Sequence, residues 1–211
     1  MEKVTKVKKI YAELNEAQNR AVAKYGPVGT WVVNLPSGTS SNQRYVDRIT
    51  EFLKVQKYCR TTSETGCYDT DFYNLTNNDL SPWNGQNKTP KVVLANGATF
   101  FSNYYLAYPS CNNSDSGYSI PDRCGWFYLD IDGANKGKNK MGIDVFAFNV
   151  TKDGIKGNPV QNSNTVSYHG RSALTWILET GNMDYLKANS SGKCNNSNKY
   201  LSLSNNVLSC K

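Results

Sequence analysis

The stretch that most constrains the fold runs from Phe127 to Phe148, FYLDIDGANKGKNKMGIDVFAF. Phe127, Leu129 and Ile131 recur at a period of two, as do Val145 and Ala147, which predicts two half-buried strands. The Gly, Asn, Lys and Asp run between them reads as a surface loop displayed by a sheet. VVLANGATFF, residues 92–101, repeats the theme, with Asn96-Gly97 suited to a type I′ turn between two apolar runs. FAFNVTKDGIKGN adds a strand that turns through Asp153-Gly154, and LSLSNNVLSC alternates again near the C-terminus.

Helical periodicity is concentrated at the other end. Val4, Val7, Tyr11, Leu14, Ala21 and Tyr25 share one stripe, with Lys3, Lys6, Lys8, Lys9, Glu13, Glu16 and Arg20 largely off it. An amphipathic helix over 1–25 follows, stopped by Gly26-Pro27. A second helix is predicted from Asn42 to Tyr58, on Tyr45, Ile49, Phe52 and Leu53. A short third one, ALTWILETG, can start at Ser172 or Thr175 and has Gly181 as its C′ residue. Helices come first and mostly strands afterwards, with no βαβ alternation. The fold class is therefore α+β, a single domain over 1–211 with the N-terminal helix packed on an antiparallel sheet and disulfide-stapled loops.

The DxDG…GxDxFxF pattern, the helical N-terminus and the run SALTWILETGNMDYLK, residues 172–187, together resemble the type IV pilin-like family, the pilins and type II secretion pseudopilins. The resemblance spans most of the chain, without the apolar N-terminal segment and cleavage site that mark the family. It implies that residues 1–25 are the soluble half of a long assembly helix, carrying Val4, Val7, Tyr11 and Leu14. The apolar half would lie upstream and anchor the subunit in a membrane and then in a filament. On that basis Val4, Val7 and Tyr11 are expected beyond the sheet, with Leu14, Ala21 and Tyr25 buried against it. The partners implied are other pilin-like subunits and a membrane, with the isolated domain monomeric.

Cysteine usage points to the compartment. Six cysteines fall in sequence-local pairs, Cys59 with Cys67, Cys111 with Cys124 and Cys194 with Cys210. Fifteen connectivities are open to them, and the sequence does not choose. No CxxC occurs and His169 is the sole histidine, so disulfides are favoured over a zinc site. They imply an oxidising location, periplasmic or at the cell surface. No run approaches the roughly 18 apolar residues of a membrane span.

Catalysis has no visible carrier. His169 lies in a turn-like Tyr-His-Gly-Arg context with no GxSxG nearby, and GANKGK lacks the phosphate-binding spacing. No cofactor is expected. Asp130, Asp132, Asn135 and Asp144 offer oxygen ligands of the type calcium accepts, and some secretion pseudopilins bind calcium in a C-terminal loop. The EF-hand pattern fails, however, and structural Asx turns account for the same residues. A net charge of +7 invites nucleic acid as a partner, through Lys3, Lys6, Lys8, Lys9 and Lys136, Lys138, Lys140. Aromatic residues are not interleaved with these lysines, so solvated charge or subunit contacts are preferred. The sequons at Asn74, Asn149 and Asn189 are weak in so Asn-rich a chain.

The function that emerges is a non-enzymatic structural subunit of a bacterial surface or periplasmic filament. The alternative is a disulfide-stabilised adhesin or ligand-binding module using the loops at 61–88 and 111–124.

Overall fold

A computed structural model describes residues 2–35, 40–59, 67, 72–78, 80, 90–101, 109–111, 120–133, 136, 139–160, 166, 168–189, 192–194, 202–204 and 207–209. Helix α1 spans Glu2–Tyr25. It stops where Gly26 adopts a φ of 79° and its N–H closes on the Val22 carbonyl at 2.9 Å. Helix α2, Ser41–Thr50, is capped by Ser40, whose hydroxyl accepts the Gln43 N–H at 3.1 Å. Helix α3, Ala173–Thr180, ends in a left-handed Gly181 as its sequence predicts.

Six strands form one antiparallel sheet in the order β1-β3-β4-β5-β7-β8: β1 Val55–Cys59, β3 Lys91–Leu94, β4 Thr99–Phe101, β5 Arg123–Asp130, β7 Val145–Thr151 and β8 Gly154–Lys156. Two pairs stand apart, β2 Phe72–Tyr73 with β6 Asn139–Lys140 in parallel, and β9 Ser202–Ser204 with β10 Val207–Ser209. The α+β class and the antiparallel sheet stand as expected.

One face of the sheet carries the main core. Phe127 stacks on Phe148 across the β5–β7 pair at 5.1 Å between ring centroids, and Phe100 meets Phe127 at 4.4 Å. Against them pack Val7, Ile10, Leu14 and Ala21 of α1, Tyr45, Val46 and Ile49 of α2, and Leu174, Trp176 and Ile177 of α3.

Several expectations need correction. β5 and β7 are not half-buried. Every residue of β7 is buried, because Phe101, Tyr128, Met141, Val145 and Ala147 form a second core on the opposite face, with Leu80 and Trp126 packed against it. The loop after β5 is not wholly irregular either, since it yields β6, whose partner lies in the turn-rich region after Cys67. The second helix stops at Thr50 instead of Tyr58. Residues 55–59 become β1, because Val55 and Tyr58 pair with Leu94 and Val92. The 92–101 hairpin forms, but its turn is a three-residue loop: Gly97 N–H bonds the Leu94 carbonyl and only Gly97 takes positive φ.

The disulfides Cys59–Cys67 and Cys111–Cys124 form as the local pairing predicts. Cys194 is also disulfide-bonded, while Cys210 lies outside the described residues.

Candidate functional site: the N-terminal helix and the acidic cluster at its start

At 24 residues and 1.5 Å per residue, α1 is about 36 Å long. Its buried face is Val7, Ile10, Leu14, Ala17, Gln18 and Ala21. Leu14 and Ala21 are buried as anticipated, but Val7 is fully buried too, so it belongs to the core and not to a projecting segment. Val4, Tyr11 and Tyr25 are half-buried and flank the core. Tyr25 sits at the far end with its hydroxyl donating to Glu51, which also receives Lys24. Periodicity alone ranked Tyr11 and Tyr25 above Ile10 and Ala17, and the helix is rotated slightly from that stripe.

Two polar side chains fasten α1 to the sheet, and neither carries an apolar signal a sequence reading would notice. Asn15 faces the edge strand β8. Its Nδ2 donates to the Ile155 carbonyl at 3.3 Å and its Oδ1 accepts the Ile155 N–H at 2.8 Å. Gln18 is fully buried, donating through Nε2 to the Thr151 carbonyl at 3.0 Å and accepting the Tyr45 hydroxyl at 2.9 Å. One amide thus ties α1, α2 and β7 together, and each group is satisfied in a place where leaving it unpaired costs about 1–3 kcal/mol.

At the start of α1 lie three of the four predicted calcium ligands. Asp130 is fully buried, and its Oδ1 accepts the N–H groups of Asp132 at 3.1 Å and Gly133 at 3.0 Å, an Asx turn. Asp144 accepts the Lys140 N–H through Oδ1. Lys3 Nζ stands 3.9 Å from Asp132 Oδ2 and 3.9 Å from Asp144 Oδ2. Among the described residues, Asp130 Oδ2 and Asp132 Oδ1 are buried without a hydrogen-bond partner. Burial, and then Asp132 beside it, push the Asp130 carboxyl up to about 7. Burial likewise raises Asp144. Asn135 lies outside the described residues, and among those described no group of three or more His, Cys, Asp or Glu has the arrangement to hold a metal ion.

The remaining candidates are dispersed. His169 lies edge-on to Tyr168 at 4.6 Å, and burial followed by the nearby Arg171 lowers its pKa. Of the lysines considered for nucleic acid, Lys3 faces the acidic cluster, Lys9 is 4.0 Å from Glu13, and Lys138 lies outside the described residues. Asn74 and Asn149 are buried with their side-chain amides hydrogen-bonded, which leaves Asn189 as the exposed one of the three sequons. The loops at 61–88 and 111–124 lie mostly outside the described residues. Comparison with protein-family models, with curated proteins and with solved structures finds no match for this chain.

Proposed function

We propose that this chain is the soluble part of a non-catalytic, pilin-like filament subunit that assembles through α1. The observation that carries the reading is the seating of α1, a helix lying along an antiparallel sheet with its inner side fastened by both apolar packing and side-chain amides. A helix held this firmly can serve as part of the head and as the rod on which neighbours pack. Its outer stripe, Thr5, Ala12, Glu16, Asn19 and Ala23, remains exposed at spacings of three, four and seven. Small residues at Ala12 and Ala23 permit close approach by another helix. The disulfides support an oxidising location outside the cytoplasm.

The test is photo-crosslinking in the native host, with the full-length gene product carrying a crosslinker at Ala12 or Ala23. Sheared surface material should contain covalent dimers and higher multimers of this subunit linked at both positions. A product released as a monomer, with crosslinks at neither position, would overturn the filament reading in favour of a binding module.

A further inference from the structure

At the end of the molecule remote from the acidic cluster, α2 presents Arg44 and Arg48 one turn apart on a single face. Both side chains are half-buried. Arg48 lies over two rings, its guanidinium carbon 4.6 Å from the centre of Tyr25 and 5.3 Å from that of Trp31. Trp31 is itself fixed by an Nε1–H bond of 2.7 Å to the Gly26 carbonyl. The two rings seat the guanidinium. Among the described residues Arg44 Nε is buried and meets no hydrogen-bond acceptor.

The nearby carboxylates accept hydrogen bonds from other groups. Glu51 takes Lys24 on one oxygen and the Tyr25 hydroxyl on the other. Asp47 accepts Gln43 at 2.7 Å and Tyr58 at 2.8 Å, both on Oδ1. Among the described residues neither Arg44 nor Arg48 has an ion-pair partner, and the positive field of Arg44 adds to burial in lowering the Arg48 pKa. Two like charges thus share one face of α2, near enough for Arg44 to act on Arg48. A stack that orients one fork, beside a second fork with a desolvated and unused donor, is the arrangement that a compact dianion with several acceptor oxygens satisfies.

We propose that Arg44 and Arg48, over the Tyr25–Trp31 floor, form a binding site for an oxyanion of the phosphate class. The site does not depend on the filament reading, and its failure would leave that reading untouched. α1 separates it by about 36 Å from the helix start.

The experiment is a titration of the whole chain with inorganic phosphate, against sodium chloride at matched ionic strength, followed by the arginine Nε–Hε NMR signals. Those of Arg44 and Arg48 are expected to move together along a saturating curve in phosphate and to stay nearly still in chloride, with Arg20 as an internal control. R44Q or R48Q should weaken binding about tenfold or more. R48K, which keeps the charge but loses the fork and the ring stack, should weaken it comparably. Far-UV circular dichroism verifies folding, and R44K serves if R44Q does not fold. Vesicles containing phosphatidic acid identify the source: retention of the wild type and loss with R44Q/R48Q assigns a lipid headgroup, while saturable binding of free phosphate without vesicle retention assigns a soluble phosphate. Equal, linear shifts in both salts, full binding by R44Q/R48Q, or tighter binding of a polyglutamate peptide than of phosphate would each overturn the proposal.

Discussion

Replacing Asp130 by Asn changes stability in a way that only its buried setting beside Asp132 can produce. Asn keeps the carbonyl oxygen that accepts the Asp132 and Gly133 N–H groups and removes the ionisable proton. In the unfolded chain an Asp ionises at about 3.9, whereas folding holds the Asp130 proton up to about 7. Below pH 4 the carboxyl is protonated in both states and contributes nothing to the pH dependence. Between 4 and 7 the unfolded state releases its proton while the folded state retains it, so stability falls with rising pH by about 1.4 kcal/mol per unit. Three units give a loss of about 4 kcal/mol, complete just above pH 7. Relative to its standing at pH 4, D130N should therefore gain on the wild type by up to about 4 kcal/mol by pH 8. Asp144 is raised in the same direction, so the D130N curve keeps a shallower slope of the same sign. Urea unfolding at one-unit intervals measures the difference, and carboxyl ¹³C titration locates the midpoint. A wild type and variant separated by a constant energy from pH 4 to 8 would refute the reasoning.

Gln18→Leu should destabilise by about 2–4 kcal/mol in denaturant, because the Thr151 carbonyl and the Tyr45 hydroxyl are both left unpaired in the core, while Tyr45→Phe should cost less. Gly154→Ala should cost at least about 2 kcal/mol by thermal or urea unfolding, since φ is 128° there and an added Cβ would stand 2.8 Å from Asn15 Oδ1. Millimolar calcium should leave the melting temperature unchanged, because the Asp130 turn and Lys3 already engage the acidic oxygens; a rise of several degrees would restore the metal reading. Protein folded under oxidising conditions should show no free thiol by intact mass, with mapped links 59–67 and 111–124.

What could be read in the sequence was whatever local chemistry decides. The β3–β4 hairpin, the β7–β8 turn at Gly154, the Gly181 helix stop and the β5–β7 pair rest on turn residues and on alternation, and all are present. The overrun of α2 has a tertiary cause. Val55 and Tyr58 suit a helix stripe by spacing and a strand by branching and ring, and pairing with β3 settles the choice. Burial of both faces of β5 and β7 was illegible for a similar reason, since the cover on the second face includes residues supplied by distant parts of the chain. Asn15 and Gln18 escaped notice because a polar residue on a helix reads as surface until its partner is known. The acidic cluster was found as a set of letters, but its meaning depends on Lys3, about 130 residues away in the chain.

The contact between Asn15 and Ile155 has a consequence for how sheets in neighbouring molecules can meet. A β-sheet grows by offering the bare N–H and C=O of its outermost strand to a newcomer, and at β8 the central pair of those groups is already taken by an amide that imitates a strand. That border of the molecule is closed to strand addition. The other border of the six-stranded sheet, β1, is tethered by the Cys59–Cys67 bridge, so extension of that sheet there must enter beside a covalently fixed strand. Among the described residues, then, one edge of the six-stranded sheet is capped by a side chain and the other fixed by a covalent bond, so this sheet resists copy-to-copy extension at β8 whatever else the molecule meets.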